Sequence, residues 1–307
     1  MHFNRRYFLA GLLAFSCLFG MPHDGFAETI IVKHAQGETE VPLYPKRVVV
    51  FDLGILDLLN SLDIPVTGIP TGPKPEYLQA YDDDRYAKVG TLFEPNYEAV
   101  NALSPDIILL GARSASKLKD LSKIAPTLDL SYDPSKQIDS IIDNAKLLGQ
   151  IFGKNEKVAE RLAAIDAKLQ EVRKATASAG TGQLILTTGG RMSAFGPNSR
   201  FGLLYDEFGI SPSAPSLDIG THGQAISNEF LLETNPDWLF VLDRDAAIGH
   251  DSASARTLLD NAIMHRTTAW KQDHIVYLSS DAWYLGGGGI EALLRSMEDI
   301  LSAMRRP

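Results

Sequence analysis

The pattern of apolar and polar positions predicts one long helix near the middle of the chain. Between Asn155 and Ala175 a single stripe recurs at helical spacing, formed by Val158, Leu162, Ile165, Leu169 and Val172. Asn155 is expected to cap the N-terminus, and Arg173 and Lys174 suit the negative end of the helix dipole. At 1.5 Å per residue such a helix is roughly 30 Å long. We interpret it as a stiff connector between two lobes; the alternative is a peripheral helix of one domain.

Short apolar runs alternate with helical patterns on both sides of this helix. Before it, the buried strands expected are at 47–51, 65–69 and 105–110; after it, they are at 183–188, 236–243 and 275–278. This alternation predicts an α/β fold with two doubly wound lobes, joined by one long spine helix, and a ligand cleft between them. The expected division is an N-terminal lobe at 28–154, a connecting helix at 155–177 and a C-terminal lobe at 178–307.

Composition and the N-terminus indicate an exported protein. The chain is 45% hydrophobic and 22% charged, and its net charge of −9 argues against a nucleic-acid partner. Arg5 and Arg6 precede an apolar run that is too short to span a bilayer. We therefore expect residues 1–27 to be a signal peptide cleaved after Ala27, using the twin-arginine or the general secretory route. The single cysteine, Cys17, lies inside it.

Three stretches carry a resemblance to a known family: 193–202 (SAFGPNSRFG), 220–223 (GTHG) and 283–285 (WYL). Together with Glu94-Pro95-Asn96 and Asn235-Pro236-Asp237, they resemble the periplasmic ferric-siderophore-binding proteins of ABC importers, in the group whose lobes share one long helix. The three stretches are similar to the catecholate branch, which completes iron coordination with a protein His and Tyr. The resemblance implies a monomeric substrate-binding protein in the periplasm that delivers a ferric, tetradentate catecholate-type siderophore to a membrane permease.

The resemblance implies that His222 and Tyr284 are the metal ligands. Fe(III) is a hard cation that prefers anionic oxygen, which a tyrosine phenolate supplies, and an imidazole is an acceptable second ligand. His222 lies between glycines in a predicted loop, where a solvated side chain is the ordinary interpretation. Tyr284 follows a predicted strand, where packing is the ordinary role. No intrinsic cofactor is expected, because the iron arrives as the siderophore complex.

The ligand-binding residues implied by the resemblance are Arg113, Arg200, Arg244 and Trp283. The three arginines fall in loops or at strand ends, and a ferric catecholate complex carries several negative charges that guanidinium groups can pair with. An arginine at such a position is otherwise most often part of a surface salt bridge. Trp283 neighbours Tyr284 and is expected to report binding through its fluorescence.

Glu94 and Glu229 occupy comparable places in the two predicted lobes, each near the start of a short helix. Favourable interaction with the helix dipole explains both without a partner. By resemblance, however, they match the glutamates that face basic residues of the permease, one in each lobe.

Other functions remain open from the sequence. Within the binding class, the ligand alternatives are a hexadentate siderophore, haem or cobalamin. The glycine run Gly286–Gly289 before a helix is the best argument for an exported α/β enzyme, because such runs can cradle phosphate. It lacks a following Lys-Ser/Thr, and no Gly-x-Ser-x-Gly elbow is present. We therefore expect a protein without catalytic residues.

Overall fold

The computed structural model describes residues 28–217, 220, 222–250 and 254–306. The predicted signal peptide therefore lies outside the described residues. We call the part before the long helix the first lobe and the part after it the second lobe. The strands of the first lobe are β1 (Thr29–His34), β2 (Gly37–Pro42), β3 (Val48–Val50), β4 (Gly68–Ile69), β5 (Ala87–Lys88), β6 (Ile107–Leu110) and β7 (Thr127–Asp129). Its helices are α1 (Leu53–Ser61), α2 (Tyr97–Ala102), α3 (Leu118–Leu121) and α4 (Gln137–Phe152).

The first lobe contains a parallel sheet of five strands in the order β5-β4-β3-β6-β7. Its central strands, β3 and β6, are fully buried runs of Val, Ile and Leu, as expected for a sheet that is covered by helices on both faces. The strand order reverses beside β3, and the carboxyl ends of β3, β6 and β7 lie along one edge. Ligands of such sheets bind beyond this edge. β1 and β2 form a separate antiparallel hairpin.

Helix α5 (Asn155–Thr176) leads into the second lobe. The strands that follow are β8 (Thr181–Thr188), β9 (Arg191–Phe195), β10 (Ser211–Pro212), β11 (Gln224–Ile226), β12 (Trp238–Asp243) and β13 (Ile275–Tyr277). The helices are α6 (Leu203–Asp206), α7 (Asn228–Thr234), α8 (Arg244–Ala247), α9 (Ala255–Leu259), α10 (Thr268–Lys271) and α11 (Ile290–Met304). The main path of the second sheet is β11-β9-β8-β12-β13.

The second sheet is mixed. β8, β12 and β13 are parallel, whereas β9 returns antiparallel to β8 and β11 is antiparallel to β9. The sequence analysis did not assign β9 as a strand. Gly189 and Gly190 both have positive φ and allow the tight reversal between β8 and β9. The predicted α/β fold with two lobes is confirmed, and the second sheet contains in addition the antiparallel strands β9 and β11.

The predicted long helix is present as α5, and its stripe faces the core. Val158, Ile165, Leu169 and Val172 are buried, while Leu162 is half-buried. Asn155 is the first helical residue and not the cap, which is Lys154 without a side-chain hydrogen bond. Ion pairs join α5 to α11: Arg161 with Glu291 at 3.4 Å and Lys168 with Glu298 at 2.5 Å. In the part of the chain described, no helix has the length and apolar character needed to cross a membrane.

Candidate ligand-binding site

Tyr284 lies at the centre of a cleft between the lobes. It belongs to a single π-helical turn, Asp281–Leu285, that follows β13 in the second lobe. This turn is fixed to the first lobe by a hydrogen bond from the backbone N–H of Glu76 to Asp281 Oδ2, at 3.1 Å. The side chain of Tyr284 is half-buried and lines a cavity of about 360 Å³. Volumes of this size are typical of small-molecule sites, and π-helical turns are frequent at functional positions.

The three predicted arginines converge on Tyr284 from both lobes. Nη2 of Arg113, in the loop after β6, donates to the Tyr284 carbonyl oxygen at 3.0 Å. Nη2 of Arg200, in the loop before α6, donates to the same oxygen at 2.9 Å, and its guanidinium carbon lies 4.4 Å from the centre of the ring. Nε of Arg244, the first residue of α8, donates to the phenolic oxygen at 2.8 Å. The structure therefore brings Arg113, Arg200, Arg244 and Tyr284 together.

This arrangement gives the cleft a positive charge and favours an ionised phenol. Arg244 lies 3.7 Å from the carboxylate of Asp245, whereas neither Arg113 nor Arg200 has a carboxylate within salt-bridge distance among the described residues. Partial burial alone would raise the pKa of Tyr284, but the hydrogen bond from Arg244 and the charges of Arg200 and Arg244 outweigh it and lower this pKa. A phenolate is the oxygen ligand that a hard cation prefers.

The first lobe supplies two groups that sequence reasoning missed. Tyr132, three residues after β7, lines the same cavity as Tyr284. Burial raises the pKa of Tyr132 although the charges of Arg200 and Arg113 oppose the shift. Asp52, directly after β3 and Phe51, lines the cavity and caps α1 by accepting from Gly54 N at 2.8 Å. Both follow buried parallel strands, which is the sequence signal that could have identified them.

Gly111 is required by the approach of Asp52 to the loop that carries Arg113. A Cβ at Gly111 would overlap the Asp52 carboxylate. The close packing places that carboxylate near Arg113. Burial raises the pKa of Asp52, and the charge of Arg113 partly opposes the increase. On the first-lobe side of the cavity, the carboxylate of Asp52 therefore accompanies the guanidinium group of Arg113.

The structure does not bring His222 to the residues that line the cavity. His222 is exposed in the loop before β11, and its neighbour Thr221 lies outside the described residues. Across residues 28–217, 220, 222–250 and 254–306, no three His, Cys, Asp or Glu side chains are grouped closely enough to hold a metal ion. Iron ligation by His222 and Tyr284 stays a prediction.

Trp283 differs from the sequence expectation, because it faces the core and does not line this cavity. Its side chain is buried, its indole N–H donates to Asp299 Oδ2 at 3.1 Å, and its ring packs edge-on against Phe208. The reason is the geometry of the π-helical turn, in which the carboxylate of Asp299 on α11 satisfies the indole and holds it away from the cleft. These contacts indicate a supporting position for Trp283, and direct ligand contact by this side chain stays a prediction.

Glu94 and Glu229 are both exposed, one in each lobe, but in different surroundings. Glu94 precedes the cap of α2, Asn96, and its carboxylate lies 3.1 Å from Lys117 Nζ. Glu229 is the second residue of α7, and a hydrogen bond from Ser227 lowers its pKa. Interaction with a helix dipole therefore accounts for Glu229 better than for Glu94.

The glycine run Gly286–Gly289 packs against the first lobe and does not form an open phosphate cradle. A Cβ at Gly54 of α1 would overlap the carbonyl oxygen of Gly287, and a Cβ at Gly289 would overlap the carboxylate of Asp57. These glycines allow the backbone of the second lobe to approach the first lobe closely.

Comparisons with known proteins agree with this fold. The profile of the family described as periplasmic binding protein matches residues 48–282. The petrobactin-binding protein YclQ of Bacillus subtilis is 40% identical over 288 residues, which cover 92% of this chain and 90% of that protein. Its crystal structure superposes with a TM-score of 0.88 and covers 91% of this chain and all of that one.

Two Vibrio proteins extend the comparison. The ferric-anguibactin-binding protein FatB of Vibrio anguillarum is 32% identical over 278 residues, covering 89% of this chain and 86% of that protein. The periplasmic catecholate-siderophore binding protein VctP of Vibrio cholerae superposes with a TM-score of 0.85 at 32% identity, covering 90% of this chain and all of that one. The chain belongs to the periplasmic binding protein family. The three relatives named above are siderophore-binding proteins.

Proposed function

We propose that this protein captures a ferric siderophore in the cleft around Tyr284 and delivers it to an ABC permease for iron uptake. The observation that carries the proposal is the convergence of Arg113, Arg200 and Arg244 on Tyr284 at the edge where both sheets end. Three guanidinium groups beside one phenol suit an anionic, oxygen-rich ligand. The names of the relatives, which refer to petrobactin, anguibactin and catecholate siderophores, support the same class of ligand.

Within this class, the ligand proposed is a catecholate-type siderophore with four donor atoms. A bis-catecholate fills four of the six octahedral positions of Fe(III), and Tyr284 and His222 are the protein ligands proposed for the other two. The lowered pKa of Tyr284 supports its part in this set. Siderophores that fill all six positions are the first alternative, and they need no phenolate from the protein. Haem and cobalamin are the other alternative ligands. The protein binds and releases this cargo without transforming it.

The test compares a ferric bis-catecholate with a ferric tris-catecholate, using quenching of intrinsic fluorescence. The wild type is expected to prefer the bis-catecholate and to add a phenolate-to-iron band to its visible spectrum. In a variant with His222→Ala and Tyr284→Phe, affinity for the bis-catecholate should fall steeply, whereas the coordinatively saturated complex should be affected much less. Equal losses for both complexes would mean that this pair shapes the cleft without binding iron. If neither ferric complex binds, the proposed function as a siderophore-binding protein is refuted.

Delivery to the permease is proposed to use Glu94 and Glu229. Their exposure on separate lobes supports this role, because a partner that contacts both carboxylates would straddle the cleft. Reversal of both charges to Lys should leave ligand affinity unchanged and abolish siderophore-dependent growth. Growth of that variant at the wild-type rate would refute the docking role. The proposed location is the periplasm, after removal of residues 1–27, and the proposed state is a monomer.

A further inference from the structure

Asp57 is a buried aspartate of the first lobe whose carboxylate accepts hydrogen bonds from the second lobe. It lies on α1 in the first lobe and has no solvent exposure. Its Oδ1 accepts from the backbone N–H of Glu291 at 2.9 Å, and its Oδ2 accepts from the N–H of Ala292 at 2.8 Å. Within its own lobe, Ser61 Oγ and Tyr77 OH donate to the same carboxylate at 3.1 and 2.9 Å. Four donors therefore surround the group, and two of them come from the second lobe.

The two second-lobe donors are the first-turn N–H groups of α11. These groups have no partner within a helix and need a cap. The N-cap residue of α11 is Gly289, which offers no side chain. Asp57 supplies the missing cap from the opposite lobe, and its negative charge faces the positive end of the helix dipole. A Cβ at Gly289 would overlap the Asp57 carboxylate, so glycine at this position is what allows the cap to form.

The capped end of α11 is connected to Tyr284 by Leu285 and the glycine run. Along this run the first lobe is in contact at several points: a Cβ at Gly286 would overlap the Tyr77 hydroxyl, and one at Gly288 would press on the Tyr132 ring. At the other end, the Tyr284 carbonyl accepts from Arg113 of the first lobe. A shift of the α11 N-terminus therefore displaces the backbone that orients Tyr284.

A carboxylate at this position is not explained by stability alone. Burial raises the pKa of Asp57 to about 6 in spite of its hydrogen bonds, so the ionised form is costly to bury near neutral pH. An apolar residue would avoid this cost but would leave two N–H groups unpaired. In the observed geometry each N–H group has its own carboxylate oxygen, since Glu291 donates to Oδ1 and Ala292 to Oδ2.

We propose that Asp57 is a positioning residue for the binding site: by capping α11 across the lobe boundary, it holds the glycine run, and with it Tyr284, in register with the arginines of the cleft. The expected effect on ligand binding rests on the proposed function. Asp57 itself does not contact the ligand and acts only through the orientation of Tyr284.

The first variant for the test is Asp57→Asn, which has nearly the same shape but only one acceptor oxygen. Its control is Ser61→Ala, which removes a donor to the same carboxylate and leaves the contacts between the lobes intact. We expect Asp57→Asn to weaken binding of a ferric bis-catecholate by about tenfold or more, in line with the loss of an interaction of roughly 1.4 kcal/mol. Ser61→Ala should stay within about twofold of wild type.

The second variant, Gly289→Ala, disturbs the same cap from the second lobe, and its backbone φ of −96° tolerates alanine. It should reproduce the loss of affinity, so the test stands even if Asp57→Asn does not fold. Two measurements on the ligand-free proteins complete the test. Amide hydrogen exchange at 286–292 should accelerate, and the phenol of Tyr284 should ionise at higher pH than in wild type.

The Tyr284 titration separates a positioning role from a structural one. It is obtained as the ultraviolet difference between each protein and its Tyr284→Phe counterpart. Faster exchange together with unchanged affinity and an unchanged Tyr284 titration would mean that Asp57 only caps the helix, and would overturn the proposal. If the wild type binds no ferric catecholate, the proposed function fails. The titration of Tyr284 in the ligand-free variants still decides the role of Asp57.

Discussion

The free energy of unfolding is expected to contain a term that falls as the pH rises through about 6, and this term belongs to Asp57. The pKa of Asp57 is raised from 3.8 to about 6 in the folded protein. A raised pKa means that the folded state binds more protons than the unfolded state, so stability decreases with increasing pH over this window. At about 1.36 kcal/mol per pKa unit, the complete term is about 3 kcal/mol.

The measurement is urea-induced unfolding of the wild type and of Asp57→Asn at several pH values between about 4 and about 7.5, the interval over which the carboxyl group of Asp57 ionises. Asparagine does not titrate, so the difference between the two proteins isolates Asp57, and the other shifted carboxylates cancel. Tyr77 does not contribute, because burial beside Asp57 raises its pKa above this range. Charged groups near the cap include Glu291 with its partners Arg161 and Arg295, and Asp281, whose charge acts on Tyr77.

The stability of wild type relative to Asp57→Asn should decrease by roughly 2 to 3 kcal/mol across that interval. Ser61→Ala serves as the control, because it retains the titrating group and should follow the wild-type curve with a nearly constant offset. A difference that stays constant with pH, or that increases, would refute the reasoning. It would mean that the four hydrogen bonds to Asp57 fully compensate its burial.

Three further results are expected. In fluorescence titrations, Arg200→Ala should weaken binding of a ferric bis-catecholate by roughly 1.5–3 kcal/mol, the range for a hydrogen bond to a charged group. The control is Arg85→Ala, at an exposed arginine, which should leave this affinity unchanged. Arg244→Ala should raise the pH at which Tyr284 ionises, measured by tyrosinate absorbance; no shift would remove Arg244 from its control. Gly54→Ala should lower the free energy of unfolding by roughly 1–3 kcal/mol, because backbone atoms of the second lobe leave no space for a Cβ; an effect near zero would contradict that packing.

The sequence was sufficient for the features that depend on local pattern. The stripe of α5 predicted its length to within a residue. The apolar runs predicted most of the central strands of both sheets, because a strand covered on both faces must be apolar throughout. β9 and the edge strand β11 were missed, since one face of each is more exposed and the pattern is correspondingly weak.

The sequence also identified residues whose chemistry stands out at a strand end or in a loop. Arg113, Arg200 and Arg244 have such positions, but it was the resemblance to siderophore-binding proteins that selected them together with Tyr284. The structure joins all four by hydrogen bonds. What the sequence could not supply was the direction of each side chain. Trp283, adjacent to Tyr284 in the chain, faces the opposite way, because a π-helical turn directs consecutive residues to different sides.

Only the tertiary structure decided how the two lobes are held together. Asp57 is one aspartate among many in the sequence, and its partners Glu291 and Ala292 lie more than two hundred residues further along the chain. The glycine run suggested a phosphate cradle when considered alone, and the contact with Gly54 gave it a different role. A long-range cap of this kind has no periodic signature, because it depends on the relative position of two lobes that fold around separate sheets. The elements were therefore encoded locally, whereas the surroundings of Tyr284 were fixed by packing between the lobes.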